Sequence, residues 1–281
     1  MLVNLNEILK IAEKRKIAIG AFNVTGLDTL VAEIEAAEEL NEPIIIQHAE
    51  VHNVYNDIEI IGPVMVDLAK KASVPVCVQL DHGTSLTMIV KALEIGFSSI
   101  MYDGSHLPYK ENLETTKKMA KLVHSYNASI EGELGRLVSN EDGKTSLLNP
   151  SDFYTIPEQA KEFVDVTKVD ALAIAFGTNH GFYKEEPKLD FNIISKVRQL
   201  TNGLPLVMHG GSGVSTKDYK TAIANGIRKI NFYSYMSKAG YDKVKEVIKD
   251  NQTNYLHDLI HEAKIAMKEI VKDTIKIFSN Q

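Results

Sequence analysis

Asp81, His82, Asp103, Glu133, His180 and His209 are residues able to move protons or hold metals, and each stands at the end of a short apolar run or beside a glycine. The three histidines share a pattern, His82-Gly83, His180-Gly181 and His209-Gly210. Imidazole nitrogen suits a borderline divalent ion such as zinc, and three protein ligands leave a fourth position open for substrate. One such histidine alone is more readily a polar loop residue, but three in one repeated setting point to a metal site. His48 lacks the following glycine, and His52, His106, His124, His257 and His261 read as loop or helix-surface residues. Asp81 directly precedes a candidate ligand and can exchange a proton with a substrate hydroxyl. Asp103 and Glu133 can orient the ligands or hold a second cation. Glu141 lies in the longest stretch without periodicity, Arg136 to Thr155; from a loop of that length a carboxylate can reach substrate on closure and move a carbon-bound proton. A strand-end cap for Asp103 and a solvated charge for Glu141 account for those two equally well. Gly210, Gly211 and Ser212 sit in an HGGSG run that follows an apolar segment and opens a helical one, a place where backbone N–H groups bind phosphate. Asn231 and Ser234 can complete that anion cradle, and Gly181 lets a ligand approach closely for want of a Cβ.

These residues need a scaffold that brings them together, and the pattern between them supplies one. Short β-rich runs alternate with longer amphipathic stretches of helical period. The runs are IAIGAFN, PIIIQHA, VPVCVQL, SSIMYD, ASIEGEL, DALAIAF, LPLVMHG and RKINFY. Eight β/α units without a composition break predict an α/β fold, a (β/α)8 TIM barrel, over residues 1–281 as one domain. The tail from Asn254 to Phe278 reads as an extra C-terminal helix. In such a barrel the carboxyl ends of the strands form one rim, where active sites are built. Asn23, Gln47, Asp81, His82, Asp103, Glu133, His180, His209 and Asn231 therefore converge there.

Bulk properties narrow the function. A formal net charge of −6 gives no global case for nucleic acid, and no apolar stretch reads as a membrane span. The first residues lack a signal-peptide core, so a cytoplasmic protein is expected. The lone Cys77 cannot form an internal disulfide and sits in VPVCVQL, which reads as core.

Taken together, AFNV at 21–24, LDHG at 80–83, DGSH at 103–106, EGELGR at 131–136, NED at 140–142, GTNHG at 177–181, HGGSG at 209–213 and KIN at 229–231 run nearly the whole chain. In this order they resemble the class II, zinc-dependent ketose-bisphosphate aldolases, the tagatose- and fructose-1,6-bisphosphate group. The resemblance implies one catalytic zinc per subunit on His82, His180 and His209, with a further monovalent or divalent cation near Asp103 and Glu133. It implies that Asp81 handles the C4 hydroxyl proton and Glu141 the C3 proton. Asn23, Gln47, Gly181, Gly210, Gly211, Ser212, Asn231, Phe232, Tyr233 and Ser234 would hold the substrate, a small sugar phosphate. The products would be dihydroxyacetone phosphate and glyceraldehyde 3-phosphate, and the protein a homo-oligomer, dimer or tetramer. Where relatives have Asn-Val-(Ala or Asp)-Thr, this chain has Asn231-Phe-Tyr-Ser234; Ala49 replaces a Ser or Thr, and the tail lacks an arginine that meets the distal phosphate in relatives. Alternatives are a class II aldolase joining dihydroxyacetone phosphate to another aldehyde, a metal-dependent isomerase or epimerase, and a non-catalytic sugar-phosphate-binding barrel.

Overall fold

Each apolar run becomes a parallel strand because it is buried on both faces, inside by the opposite wall and outside by helices. The computed structural model describes residues 1–136, 153–183 and 185–281. Its strands are β1 (Leu2–Val3), β2 (Ile19–Asn23), β3 (Ile44–Ala49), β4 (Val76–Gly83), β5 (Ser99–Tyr102), β6 (Ser129–Leu134), β7 (Ala171–Ile174), β8 (Leu206–Met208) and β9 (Ile227–Phe232). Strands β2 to β9 pair in parallel around a ring, closed by the β2–β9 and β4–β5 pairings. This is a (β/α)8 TIM barrel. Seven outer helices follow the expected stretches: α2 (Leu27–Leu40), α3 (Ile58–Lys71), α4 (Leu86–Ile95), α5 (Tyr109–Ser125), α6 (Pro157–Thr167), α7 (Phe191–Leu200) and α8 (Thr216–Asn225). Beyond them come α9 (Ser234–Lys249) and the long C-terminal helix α10 (Leu256–Phe278). No helix among the described residues is long and apolar enough to cross a membrane.

Two features go beyond the strand and helix pattern read from the sequence. One is α9. The other is the amino-terminal pair of β1 and α1 (Leu5–Arg15). Asn4 starts α1 by accepting the Glu7 N–H at 3.0 Å, while Glu7 accepts the Asn4 N–H at 2.8 Å, a capping box that satisfies two otherwise orphaned donors. Leu5, Ile8, Leu9 and Ala12, spaced at helical period, are buried against the inward residues Ile19, Ala21, Ile45, Cys77, Ala171, Ala173 and Val207. The helix thus plugs the amino-terminal end of the barrel. Each large side chain in that plug contributes roughly 1.5–3 kcal/mol by leaving water. The Cys77 thiol is pushed up to about 12 by burial, so it is inert packing. At the other end of the chain, the fully buried Phe278 packs edge-on against Tyr219 and Phe232 and anchors α10 to the barrel.

Side chains alternate in and out along every strand. The inward set therefore forms layers: an apolar one at the α1 end, a polar one in the middle, and a reactive one at the opposite rim.

Candidate active site

Asp81 and His82 are adjacent in β4, and in a regular strand they would face opposite sides of the sheet. Here the register of β4 against β5 shifts between Leu80 and Gly83, and His82 adopts φ 47°. That left-handed conformation is unfavourable for a residue with a Cβ and tends to persist where function requires it. It turns both side chains into the barrel mouth.

The metal-binding geometry follows from which ring nitrogens are already used. His82 Nδ1 lies 2.8 Å from Asp103 Oδ2, and His209 Nε2 lies 2.8 Å from Glu131 Oε1. Carboxylates only accept, so these two nitrogens carry the hydrogens. The remaining ones, His82 Nε2 and His209 Nδ1, face each other at 2.9 Å. Two lone pairs at that distance repel unless a cation or proton lies between them. His180 completes the group, its ring centroid 5.1 Å from that of His82 and 6.1 Å from that of His209. One ligand atom from each of the three histidines falls within 4.8 Å of the others, and His82, Asp103 and Glu133 form a second such group. The donor set fits a three-histidine divalent site. His180 lies beyond the end of β7 in the following loop, not at a strand end, while His209 directly follows β8.

Charge is distributed unevenly across the site. Burial opposes ionisation of Asp81, but His82, His209, Lys229 and the Asn23 hydrogen bond outweigh it and hold its carboxyl well below the usual range. Asn23 Nδ2 donates to Asp81 at 2.9 Å, Asn231 Nδ2 at 3.1 Å and Gln47 Nε2 at 3.2 Å. Burial disfavours charge on His82 too, yet Asp81, Asp103 and Glu133 raise it to about 10. Burial, then His82 and His209, push His180 down to about 3, and burial lowers His209 as well. Glu133 goes the other way: burial and the neighbouring Asp103 raise it well above the ordinary carboxylate range.

Around the histidines lies a cavity of about 430 Å³ lined by Asn23, Asp81, His82, Asp103, Glu133, His180, Gly210, Gly211, Ser212, Asn231, Phe232 and Tyr233 among others. Most of the residues singled out from the sequence thus meet at one rim. Gly210 adopts φ 63°, and a Cβ there would lie 2.3 Å from the Asn179 carbonyl oxygen, so the turn after His209 needs glycine. Gly181, at φ 85°, follows His180, and Ser234 opens α9.

Several expectations change. Gln47 is fully buried beneath Asp81, where it donates to Gln79 at 2.9 Å as well, so it braces the carboxylate and does not line the cavity. Phe232 lines the cavity, but its ring packs edge-on to Phe22 with centroids 6.1 Å apart, while the Tyr233 ring lies against His52 at 4.9 Å. The Gly211 N–H is taken by the Asn231 carbonyl at 3.1 Å, and the Tyr233 N–H by Ser212 Oγ at 3.0 Å. Glu141 lies outside the described residues.

Other site residues escaped the sequence reading. His52 and His106, read as surface residues, line the cavity, as does Arg136. Glu131, Gln79 and Lys229 are fully buried directly below it. The alternation Ser129, Glu131, Glu133 along β6 was the available signal for Glu131.

Comparison with known proteins covers nearly the full chain. The chain is 36% identical over 283 residues to fructose-bisphosphate aldolases of Staphylococcus aureus strains, covering 99% of this chain and 97% of theirs. Among solved structures it is similar to the YdjI aldolase from Escherichia coli K12, with TM-score 0.88, 36% identity and coverage of 99% and 97%. It is also similar to a putative fructose-1,6-biphosphate aldolase from Coccidioides immitis, with TM-score 0.86, 28% identity and coverage of 98% and 96%. The family model for fructose-bisphosphate aldolase class-II matches residues 3–281, and the chain belongs to that family of aldolases.

Proposed function

We propose that this aldolase cleaves and forms the C3–C4 bond of a ketose 1,6-bisphosphate of fructose or tagatose type, yielding dihydroxyacetone phosphate and glyceraldehyde 3-phosphate, with one zinc ion on His82, His180 and His209. The observation that carries the reading is the Asp81 carboxyl held by three carboxamide donors in the same cavity as two imidazole nitrogens that face each other at 2.9 Å. A divalent ion there would supply the Lewis-acid charge that acidifies the substrate hydroxyl and takes up electron density as the bond breaks. Asp81 accepts the C4 hydroxyl proton in cleavage and returns it in condensation. Asn23 and Asn231 hold that carboxylate in place, and Asn231 Oδ1, buried with no hydrogen-bond partner among the described residues, is an acceptor for a substrate hydroxyl. Glu141 is the carboxylate assigned to the C3 proton. Asp103 and Glu133 offer carboxylate oxygens for a second cation. The phosphate of the dihydroxyacetone half sits by Gly210, Ser212 and the start of α9, whose positive dipole end faces it. Membership of the family supports reading the protein as a cytoplasmic homo-oligomer.

Arg136, which follows β6, is the only lysine or arginine among the described residues lining the cavity. It is therefore the candidate partner for the second anion of a bisphosphate.

The test measures dihydroxyacetone phosphate release from fructose- and tagatose-1,6-bisphosphates with and without a chelator. Chelator-sensitive cleavage is expected; absence of cleavage by protein carrying stoichiometric metal would sink the bisphosphate assignment. Arg136→Ala should raise KM for the bisphosphate by about 10–100-fold, the loss of a charge-assisted contact, and leave condensation with an unphosphorylated aldehyde unchanged.

A further inference from the structure

Beneath the three histidines lies an ion pair that touches no substrate. Glu131 on β6 and Lys229 on β9 are both fully buried, with Lys229 Nζ donating to Glu131 Oε2 at 2.8 Å. Gln79 Nε2 donates to the same oxygen at 3.1 Å. The strands are not neighbours: β7 and β8 stand between them in the ring. The inward residues of β7, Ala171 and Ala173, are small and leave the space across which Lys229 reaches.

The second oxygen of Glu131 faces His209 Nε2 at 2.8 Å. An ionised carboxylate has no hydrogen to give, so Nε2 must carry the ring proton and Nδ1 keeps its lone pair. Nδ1 is the nitrogen turned toward His82 Nε2 at 2.9 Å, and the Asn231 carboxamide approaches it with its N–H at 3.4 Å. A buried carboxylate with one neutral partner would be poorly satisfied; Lys229 and Gln79 fill its other side.

We infer that the Lys229–Glu131 pair is a positioning device that locks His209 in the tautomer whose Nδ1 serves as metal donor. Lys229 acts through Glu131 by fixing which oxygen faces which partner. The inference rests on reading His82, His180 and His209 as the metal ligands. A pair that served packing alone would tolerate an isosteric carboxamide at Glu131, and a tautomer lock would not. In E131Q the carboxamide oxygen must turn toward the two donors, Lys229 and Gln79. Its N–H₂ then faces His209 Nε2, which has to accept, and the ring proton moves to Nδ1. The side-chain shape is kept, but the donor nitrogen is blocked.

The experiment titrates metal-freed protein with Co2+, reading the visible ligand-field spectrum and the affinity by chelator competition, with thermal denaturation as the check on folding. The parent should bind one equivalent. E131Q should bind about 10–100-fold more weakly, the usual effect of losing a partner that orients a metal-bound histidine, with an altered spectrum and an unchanged fold. In E131Q/K229M the carboxamide is free to turn its oxygen to His209, so affinity should recover most of the way, a non-additive cycle. E131L/K229M, with no acceptor for His209, should remain weak. Equal affinity of parent and E131Q overturns the inference and leaves the metal centre intact, whereas a parent that binds no Co2+ overturns both. Where E131Q does not fold, equal affinities of the two double variants overturn the inference and a weaker E131L/K229M supports it.

Discussion

The two ends of the barrel interior share one backbone geometry and have opposite chemistry. At the α1 end the inward positions are Ile19, Ile45, Cys77, Ala171 and Val207, sealed by Leu5, Ile8 and Leu9. Two or four residues further along the same strands come Asn23, Gln47 and Asp81, with His209 just past β8, and β6 adds Glu133. The apolar end stabilises by area removed from water and can be sealed. The reactive end places carboxylates and imidazoles out of bulk water, where each needs partners, and it stays open to substrate. Stability and chemistry are thus separated along the strand axis. A carboxyl outside that arrangement shows the contrast: Glu33 on α2 is fully buried, and neither oxygen has a hydrogen-bond partner among the described residues.

Changes at the reactive end should remove activity and leave the fold in place. His180→Ala should lower cleavage by more than about a thousandfold through loss of the metal site, with an unaltered circular dichroism spectrum; measuring bound metal and Tm together would break the contrast if both fell. Asp81→Asn keeps the shape and the metal ligands, and should lower kcat by about 10²–10⁴-fold, the range for a general acid–base group, at unchanged metal stoichiometry.

Changes at the sealed end should do the reverse. Leu9→Ala opens a cavity in the plug and should cost about 2–5 kcal/mol of stability, seen as a lower denaturant midpoint, with kcat unchanged at moderate temperature. An activity loss matching that of Asp81→Asn would show that the two ends are mechanically coupled.

The smallest effect concerns Glu33, whose carboxyl burial raises well above its ordinary 4.5. Below that value the group is protonated in folded and unfolded chains alike. As pH rises through it, the unfolded chain releases its proton while the folded chain keeps it, so stability falls with pH. Glu33→Met should flatten that slope and raise Tm above neutral pH by on the order of 2 °C. A variant with the parent's pH slope would show that the folded protein gives Glu33 a partner.

Much of the scaffold was legible in the chain. Eight apolar runs separated by helical stretches are enough to specify a closed parallel barrel, and glycine after each of His82, His180 and His209 marked the residues that the rim gathers. The α1 plug was harder to see, because a short amphipathic helix before the first barrel strand looks like any surface helix until the barrel end it covers is known. Phe232 shows the limit on the other side: it lines the cavity as its position after Asn231 suggested, but its ring contacts with Phe22 and Phe278 depend on the packing of α10 on the barrel.

By itself, then, the sequence determined the periodicities, hence the elements and their order, and which chemically able residues lie near strand ends, because these are local properties of the chain. Only the tertiary structure decided which atoms meet. The bulge at His82 turns two consecutive residues the same way, and Glu131 and Lys229 pair across 98 residues of chain, leaving His209 with Nδ1 toward His82. Tautomers and the shifted ionisation of Asp81, His82 and Glu133 depend on distances of a few ångströms between groups far apart in sequence, and those distances exist only once the ring is closed.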